Sequence, residues 1–292
     1  MKRISRLVAI FLVLGLEQIA AEKVIYTHGM NLVESNEACQ DTRIGESAKC
    51  GVWKGITPVG DYILVGYDGR KDPLLSEPTS GTVRLLQMLN KYCRRDQGQS
   101  CRLVNESLGG FTAAATISKY NQNGIYNILY ATQLVSAEGG SEIASLGDTA
   151  INILRAVFNI NSGPLDDLAD SRSAIQALVV TKARSSFDHN RNNGSMFYHL
   201  AATKSIFIAE PFLPGQDDSL VAMHSSCGYR SSGAFSKCMG EKVKSCDLCF
   251  WERAVNVTPF EGHKMHPLLP NTGIDIGHMQ GHDDTKFQGT IQ

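Results

Sequence analysis

The sequence predicts an α/β fold: a mostly parallel central sheet with helices on both faces. Two observations carry that expectation. Apolar, β-rich runs alternate along the chain with segments whose apolar residues recur at helical spacing, the pattern of a covered parallel sheet. In addition, the stretch CRLVNESLGGFTAA (101–114) passes from a short strand through one serine into small residues and a helix.

The elements follow in order. Lys2, Arg3 and Arg6 precede the apolar run LVAIFLVLGL, and Ala20-Ala21 lie behind it. Basic, apolar and small segments in that order form a secretory signal peptide, 1–21, with cleavage expected after Ala21; an uncleaved anchor is the alternative. Residues 22–292 read as one domain, because no repeat and no Pro/Gly/Ser linker divides them. KVIYTHGMN reads as a buried strand running into a glycine turn, and DYILVGYDG (61–69) as a second strand ending in an Asp-Gly turn signal. TVRLLQMLNKY (82–92) has helical spacing. RLVNE is a strand and LGGFTAAATISKY a helix, and IYNILYATQLVSA (125–137) and KSIFIAEPF (204–212) are further strands. The interval 138–203 holds two helix-like pieces, DTAINILRAVFNI and DDLADSRSAIQALVVTKA, and then the polar stretch SSFDHNRNNGS. It is either a helical, cap-like insertion over a pocket or a pair of ordinary packing helices.

All eight cysteines follow residue 21, and an even count in an exported chain points to disulfides. Cys39 with Cys50, and Cys93 with Cys101, would each close a small loop. Cys227, Cys238, Cys246 and Cys249 make 227–249 a disulfide-rich segment, or alternatively a zinc site built around Cys246-Asp-Leu-Cys249. A formal net charge of −1 with scattered Lys and Arg gives no electrostatic basis for binding nucleic acid. No phosphate-binding loop, dinucleotide fingerprint or H-E-x-x-H is present, so no cofactor is implied.

A serine on a tight strand-to-helix turn needs small neighbours, because the backbone reverses within a few residues. Such a turn pushes the hydroxyl out of the sheet and aims the first helical N–H groups beside it. This geometry suits attack on a carbonyl carbon. In N-E-S-L-G-G, Ser107, Gly109 and Gly110 match the G-x-S-x-G elbow, with Asn105 in place of the first glycine. Here the sequence resembles the α/β-hydrolase superfamily, in particular its secreted lipase and esterase branch.

Three more segments extend the resemblance over most of the mature chain. YTHGM (26–30) is similar to the family's His-Gly segment, which implies that the N–H groups of Met30 and Leu108 form an oxyanion hole. FLPGQDDSLVAMHSS (212–226) resembles the segment carrying the family's acid: Asp218 matches the acid, Ser219 stands for a glycine, and Asp217 is the turn-forming neighbour. The family places its histidine last, and NTGIDIGHMQGHDD offers His278, with His282 as the alternative. The implied triad is Ser107, Asp218 and His278. Relatives that hold calcium carry an aspartate two residues after this histidine; Gln280 stands there, so no metal is expected. The resemblance implies hydrolysis of a small-molecule or lipid carboxylic ester in the extracellular space or cell envelope, with transient contact at a lipid interface. Three readings compete with it. One is a catalytically silent binding protein, suggested by Asn105; another is a triad enzyme acting on thioesters or amides, or as an acyltransferase. The third is a zinc-stabilised binding protein.

Overall fold

A computed structural model describes residues 22–32, 35–46, 50, 58–158, 170–209, 211–213, 217–227, 243–244, 253–254 and 278. The proposed signal peptide lies outside the described residues, as do the side chains of Cys227, Cys238, Cys246 and Cys249 and the alternative histidine His282.

Five strands form one parallel sheet: β1 (Lys23–Thr27), β2 (Asp61–Val65), β3 (Cys101–Glu106), β4 (Ile128–Leu134) and β5 (Met196–Leu200). Their spatial order is β2-β1-β3-β4-β5, which puts β3 at the centre, flanked by β1 and β4. A short antiparallel pair, β6 (Val243–Lys244) and β7 (Arg253–Ala254), stands apart.

Strand alternation sorts the core. Ile25, Ile63, Val65, Leu103 and Ala131 face the helices α1 (Gly81–Tyr92) and α2 (Leu108–Tyr120), which supply Leu85, Leu89, Ala114 and Ile117. Val24, Tyr26, Leu64, Val104 and Leu134 face the other way, against Cys39 and Cys50. Those two cysteines are bridged, as are Cys93 and Cys101, the latter pair tying the end of α1 to the start of β3. Two short-range disulfides fit an oxidising environment. Among the described residues, no helix is long and apolar enough to cross a membrane.

A third apolar cluster sits beyond the carboxyl ends of the strands. It gathers Leu108 and Phe111 of α2 with α3 (Asp148–Val157), α4 (Arg172–Ala177) and α5 (Val180–Ser185). The expected second helix is therefore two short ones. Between them, the β-branched Val179 pairs with Ser141 as an isolated bridge, and the Leu178 carbonyl accepts the Ser141 N–H at 2.8 Å.

One expected strand is corrected. The described residues of 204–212 form no strand, with turns at 207–209 and 211–212, and the strand after β4 is Met196–Leu200, inside the interval read as insertion. In 204–213 the residues packed inward are Ile206, Ala209 and Leu213, at spacings of three and four. Phe207 and Ile208 are exposed, so the run is apolar without the alternation a strand requires. In MFYHL the polar His199 interrupts the apolar run, yet it is fully buried in the strand.

Candidate active site

The junction of β3 and α2 is as abrupt as its small residues require. Ser107 occupies it alone, at φ 50 and ψ −119, a strained backbone for a side chain other than glycine. The bend is held from both sides. The Ser107 N–H donates to Leu134 of β4, and the Ser107 carbonyl accepts the Ala137 N–H, each at 3.0 Å. A Cβ on Gly109 would lie 2.6 Å from the Thr27 carbonyl oxygen and 2.7 Å from that of His28, so α2 starts in direct contact with the β1 backbone. A Cβ on Gly110 would meet the Ser136 side chain at 2.1 Å.

Asn105, which departs from the elbow pattern, is absorbed by the sheet. It is opposite Thr27 in the β1–β3 register and fully buried. Its Oδ1 accepts the Thr27 hydroxyl at 2.6 Å, and its Nδ2 donates to the Thr132 carbonyl of β4 at 3.3 Å. The side chain stitches three strands together below the bend.

Asp218 lies on a turn after the 204–213 segment. Asp217 accepts the Ser219 N–H at 2.9 Å, the turn-forming bond expected of it. Ser219 has φ 88, and its hydroxyl anchors the turn by accepting the Ile206 N–H at 2.9 Å and donating to the Lys204 carbonyl at 3.2 Å. Asp218 Oδ1 accepts the N–H groups of Leu220 and Val221 at 3.1 and 2.8 Å. The turn is fastened to the segment after β4, where the Ser141 hydroxyl donates to the Leu220 carbonyl. The helix α6 (Met223–Cys227) follows, and the Ser225 carbonyl accepts the Gly139 N–H at 3.0 Å.

His278 meets both groups. Its Nδ1 is 2.8 Å from Asp218 Oδ2 and its Nε2 2.7 Å from Ser107 Oγ, across 60 and 171 residues of chain. A backbone bond from the His278 N–H to the Asp218 carbonyl, 2.8 Å, fixes the ring's base. All three side chains are buried, yet Ser107 and His278 line a small pocket. Apart from Ser141, its other walls are apolar, among them Met30, Ile143 and Leu220, with Leu154 and Phe158 from the α3 end and Ile175 and Leu178 from the α4 end. A hydroxyl, an imidazole and a carboxylate in this chain of contacts can activate the oxygen toward a carbonyl carbon.

The two residues expected to supply oxyanion N–H groups flank Ser107. Leu108 opens α2, where the first N–H groups are not consumed by the helix's own bonds. Met30 lines the cavity, and Gly29 abuts the serine so closely that a Cβ there would lie 3.0 Å from Ser107 Cβ. The sequence reading missed the side chain of His28, using only the backbone after it. That imidazole is fully buried, stacked on Tyr67 with centroids 3.9 Å apart, and bonded through Nδ1 to the Gly29 carbonyl at 2.7 Å. Burial is the main cause that draws its pKa down to about 4, against the raising effect of the Gly29 bond and the nearby Glu106 and Asp68 carboxylates. Burial also pushes the Tyr67 phenol above its usual range.

No protein-family model matches the chain. No curated protein matches it either. Among solved structures it is similar to the mature form of a lipase from Bacillus licheniformis, with a TM-score of 0.53 and 16% identity, over 93% of this chain and 91% of that one. It is also similar to a metagenomic carboxyl esterase, with a TM-score of 0.48 and 15% identity, over 71% of this chain and 60% of that one. The first likeness runs nearly end to end in both chains, and together with five parallel strands and the strand–serine–helix bend it gives this chain the α/β-hydrolase fold.

Proposed function

We propose that this chain is a secreted serine hydrolase of lipase and esterase type, cleaving carboxylic esters through an acyl-enzyme. The observation that carries the reading is the pair of contacts at His278, 2.7 Å to Ser107 Oγ and 2.8 Å to Asp218 Oδ2, at the wall of an apolar cavity. In this reading Ser107 Oγ attacks the ester carbonyl carbon while His278 Nε2 takes its proton. The carbonyl π pair moves to oxygen, and the N–H groups of Met30 and Leu108 hold the oxyanion. Collapse expels the alkoxide, which leaves as alcohol with the proton from Nε2. Water then repeats the sequence on the acyl-enzyme and frees the acid. Asp218 keeps the hydrogen on Nδ1 and stabilises the imidazolium.

The apolar walls suit a hydrocarbon acyl or alkyl chain, of a small-molecule or lipid ester. The insertion acts as a cap, since Leu154, Phe158, Ile175 and Leu178 come from its helices or their ends. Export rests on the basic, apolar and small order of residues 1–21 and on the two disulfides.

Hydrolysis of p-nitrophenyl esters of rising chain length, with thioester and amide substrates alongside, tests the reading. The expected result is ester turnover that Ser107→Ala lowers on the order of 10⁶-fold. Turnover of thioesters or amides with inert esters would assign another acyl substrate. No turnover of any of them would favour a silent binding protein.

A further inference from the structure

We propose that His28 is a positioning residue for the acyl-transfer chemistry: its ring, pinned by Tyr67, holds the Gly29 carbonyl and so fixes the direction of the Met30 N–H beside Ser107. The inference rests on the serine hydrolase reading and assigns to a side chain what that reading leaves to the backbone.

The argument begins with the peptide unit. The Gly29 carbonyl and the Met30 N–H belong to one planar trans group, so they point in opposite directions. Whatever holds the oxygen aims the hydrogen. His28 Nδ1 lies 2.7 Å from that oxygen, and because a carbonyl only accepts, the ring hydrogen sits on Nδ1. Nε2 is then the unprotonated nitrogen, buried beside the Tyr67 backbone. This tautomer is the only one that makes the bond to Gly29.

The ring cannot turn away. Tyr67 lies flat against it, with 12° between the planes, and the Tyr67 hydroxyl donates to the His28 carbonyl. One aromatic side chain thereby holds both ends of the histidine. On the open side, the backbone at Gly69 closes in: a Cβ there would stand 3.0 Å from the Gly29 oxygen and 3.3 Å from His28 Cε1. On the opposite side Gly29 abuts Ser107, where a Cβ would come within 3.5 Å of Oγ. The peptide between residues 29 and 30 therefore sits in a slot between the serine and the 67–69 turn, with its oxygen tied to the imidazole. Flipping it would break that bond and leave a buried carbonyl facing the cavity. A preset N–H of this kind interacts more strongly with the oxyanion than with the ground-state ester, so its loss falls on kcat rather than KM.

The test is steady-state hydrolysis of p-nitrophenyl butyrate, together with inhibition by an alkyl boronic acid, a mimic of the tetrahedral intermediate. The proteins are wild type, Ser107→Ala, His28→Phe, His28→Asn and Tyr67→Phe, each checked by its melting transition. His28→Phe keeps a stacked ring without the donor; it should lose about 10- to 100-fold in kcat with KM within about threefold, and boronate affinity should fall in parallel. His28→Asn places an amide N–H near the Nδ1 position and should recover kcat to within about fivefold of wild type. Tyr67→Phe should lower kcat by about threefold or more without raising KM. If His28→Phe turns over like wild type while Ser107→Ala is dead, the inference is overturned and the hydrolase reading stands. The same holds if folded His28→Asn is as impaired as His28→Phe. Should His28→Phe fail to fold, Tyr67→Phe decides, and an unchanged kcat there overturns the inference. An inert wild type overturns the hydrolase reading and this inference with it.

Discussion

Asn105 and His28 are both buried polar side chains beside the serine, and each is explained by its partners rather than by its residue type. Asn105 occupies a place where glycine is usual in the elbow pattern, but bonds to Thr27 and Thr132 absorb its polar atoms. His28 is buried neutral, so it also shapes the pH dependence of stability. Its folded pKa of about 4 lies below the ordinary value of 6.5. Between those values the unfolded chain binds more protons, so stability falls as pH drops through that window. Urea unfolding at pH 7 and pH 4.5 should show His28 costing about 2 kcal/mol of stability over that interval. His28→Asn has no such proton to bind, and its pH slope should be shallower by that amount; an equal slope would contradict the burial argument. The serine, the acid and the histidine were each legible as residues in short patterns. The ring of His28 was not, because a histidine before a glycine looks the same in sequence whether it forms a turn or grips the next carbonyl.

At the scale of elements, the bend between β3 and α2 depends on backbone approach. Gly109 touches two carbonyl oxygens of the β1 end, and backbone does not give way as a flexible side chain can. Gly109→Ala should therefore push α2 away from β1, cost about 3 kcal/mol of stability and lower ester turnover, measured by denaturant unfolding and kcat together. A variant as stable as wild type would mean that the approach is looser than 2.6 Å. Strands β1 to β4 and helices α1 and α2 could be read from the sequence because each holds apolar residues at the spacing of its element, although β3 and β4 also bury Asn105, Glu106, Thr132 and Gln133. β5 could not: it is five residues long, carries a buried histidine, and follows a polar loop. The 204–212 run misleads for the converse reason, since Phe207, Ile208 and Phe212 are apolar without being core. Composition signals burial only when its spacing matches the element.

For the whole molecule, three distant pieces of chain must converge. β3 presents the serine at the centre of the sheet, where the flanking strands fix the bend. The 217–222 turn is tied to the segment after β4, so the carboxylate is held by the same framework that holds the serine. The histidine arrives from 171 residues away, a closure that sequence order alone could suggest only by family resemblance. Helices α3, α4 and α5 share one apolar cluster with Leu108 and Phe111 of α2, and the disulfides close the segment between β1 and β2 and join the end of α1 to the start of β3. The central claim is that this convergence makes Ser107 a nucleophile that depends on His278. Intact mass spectrometry after treatment with a fluorophosphonate tests it most directly. The account predicts one covalent adduct on wild type, none on Ser107→Ala, and labelling slowed by more than about 10³-fold on His278→Ala. Folded wild type that takes up no label, or that labels as fast without the imidazole, would contradict it.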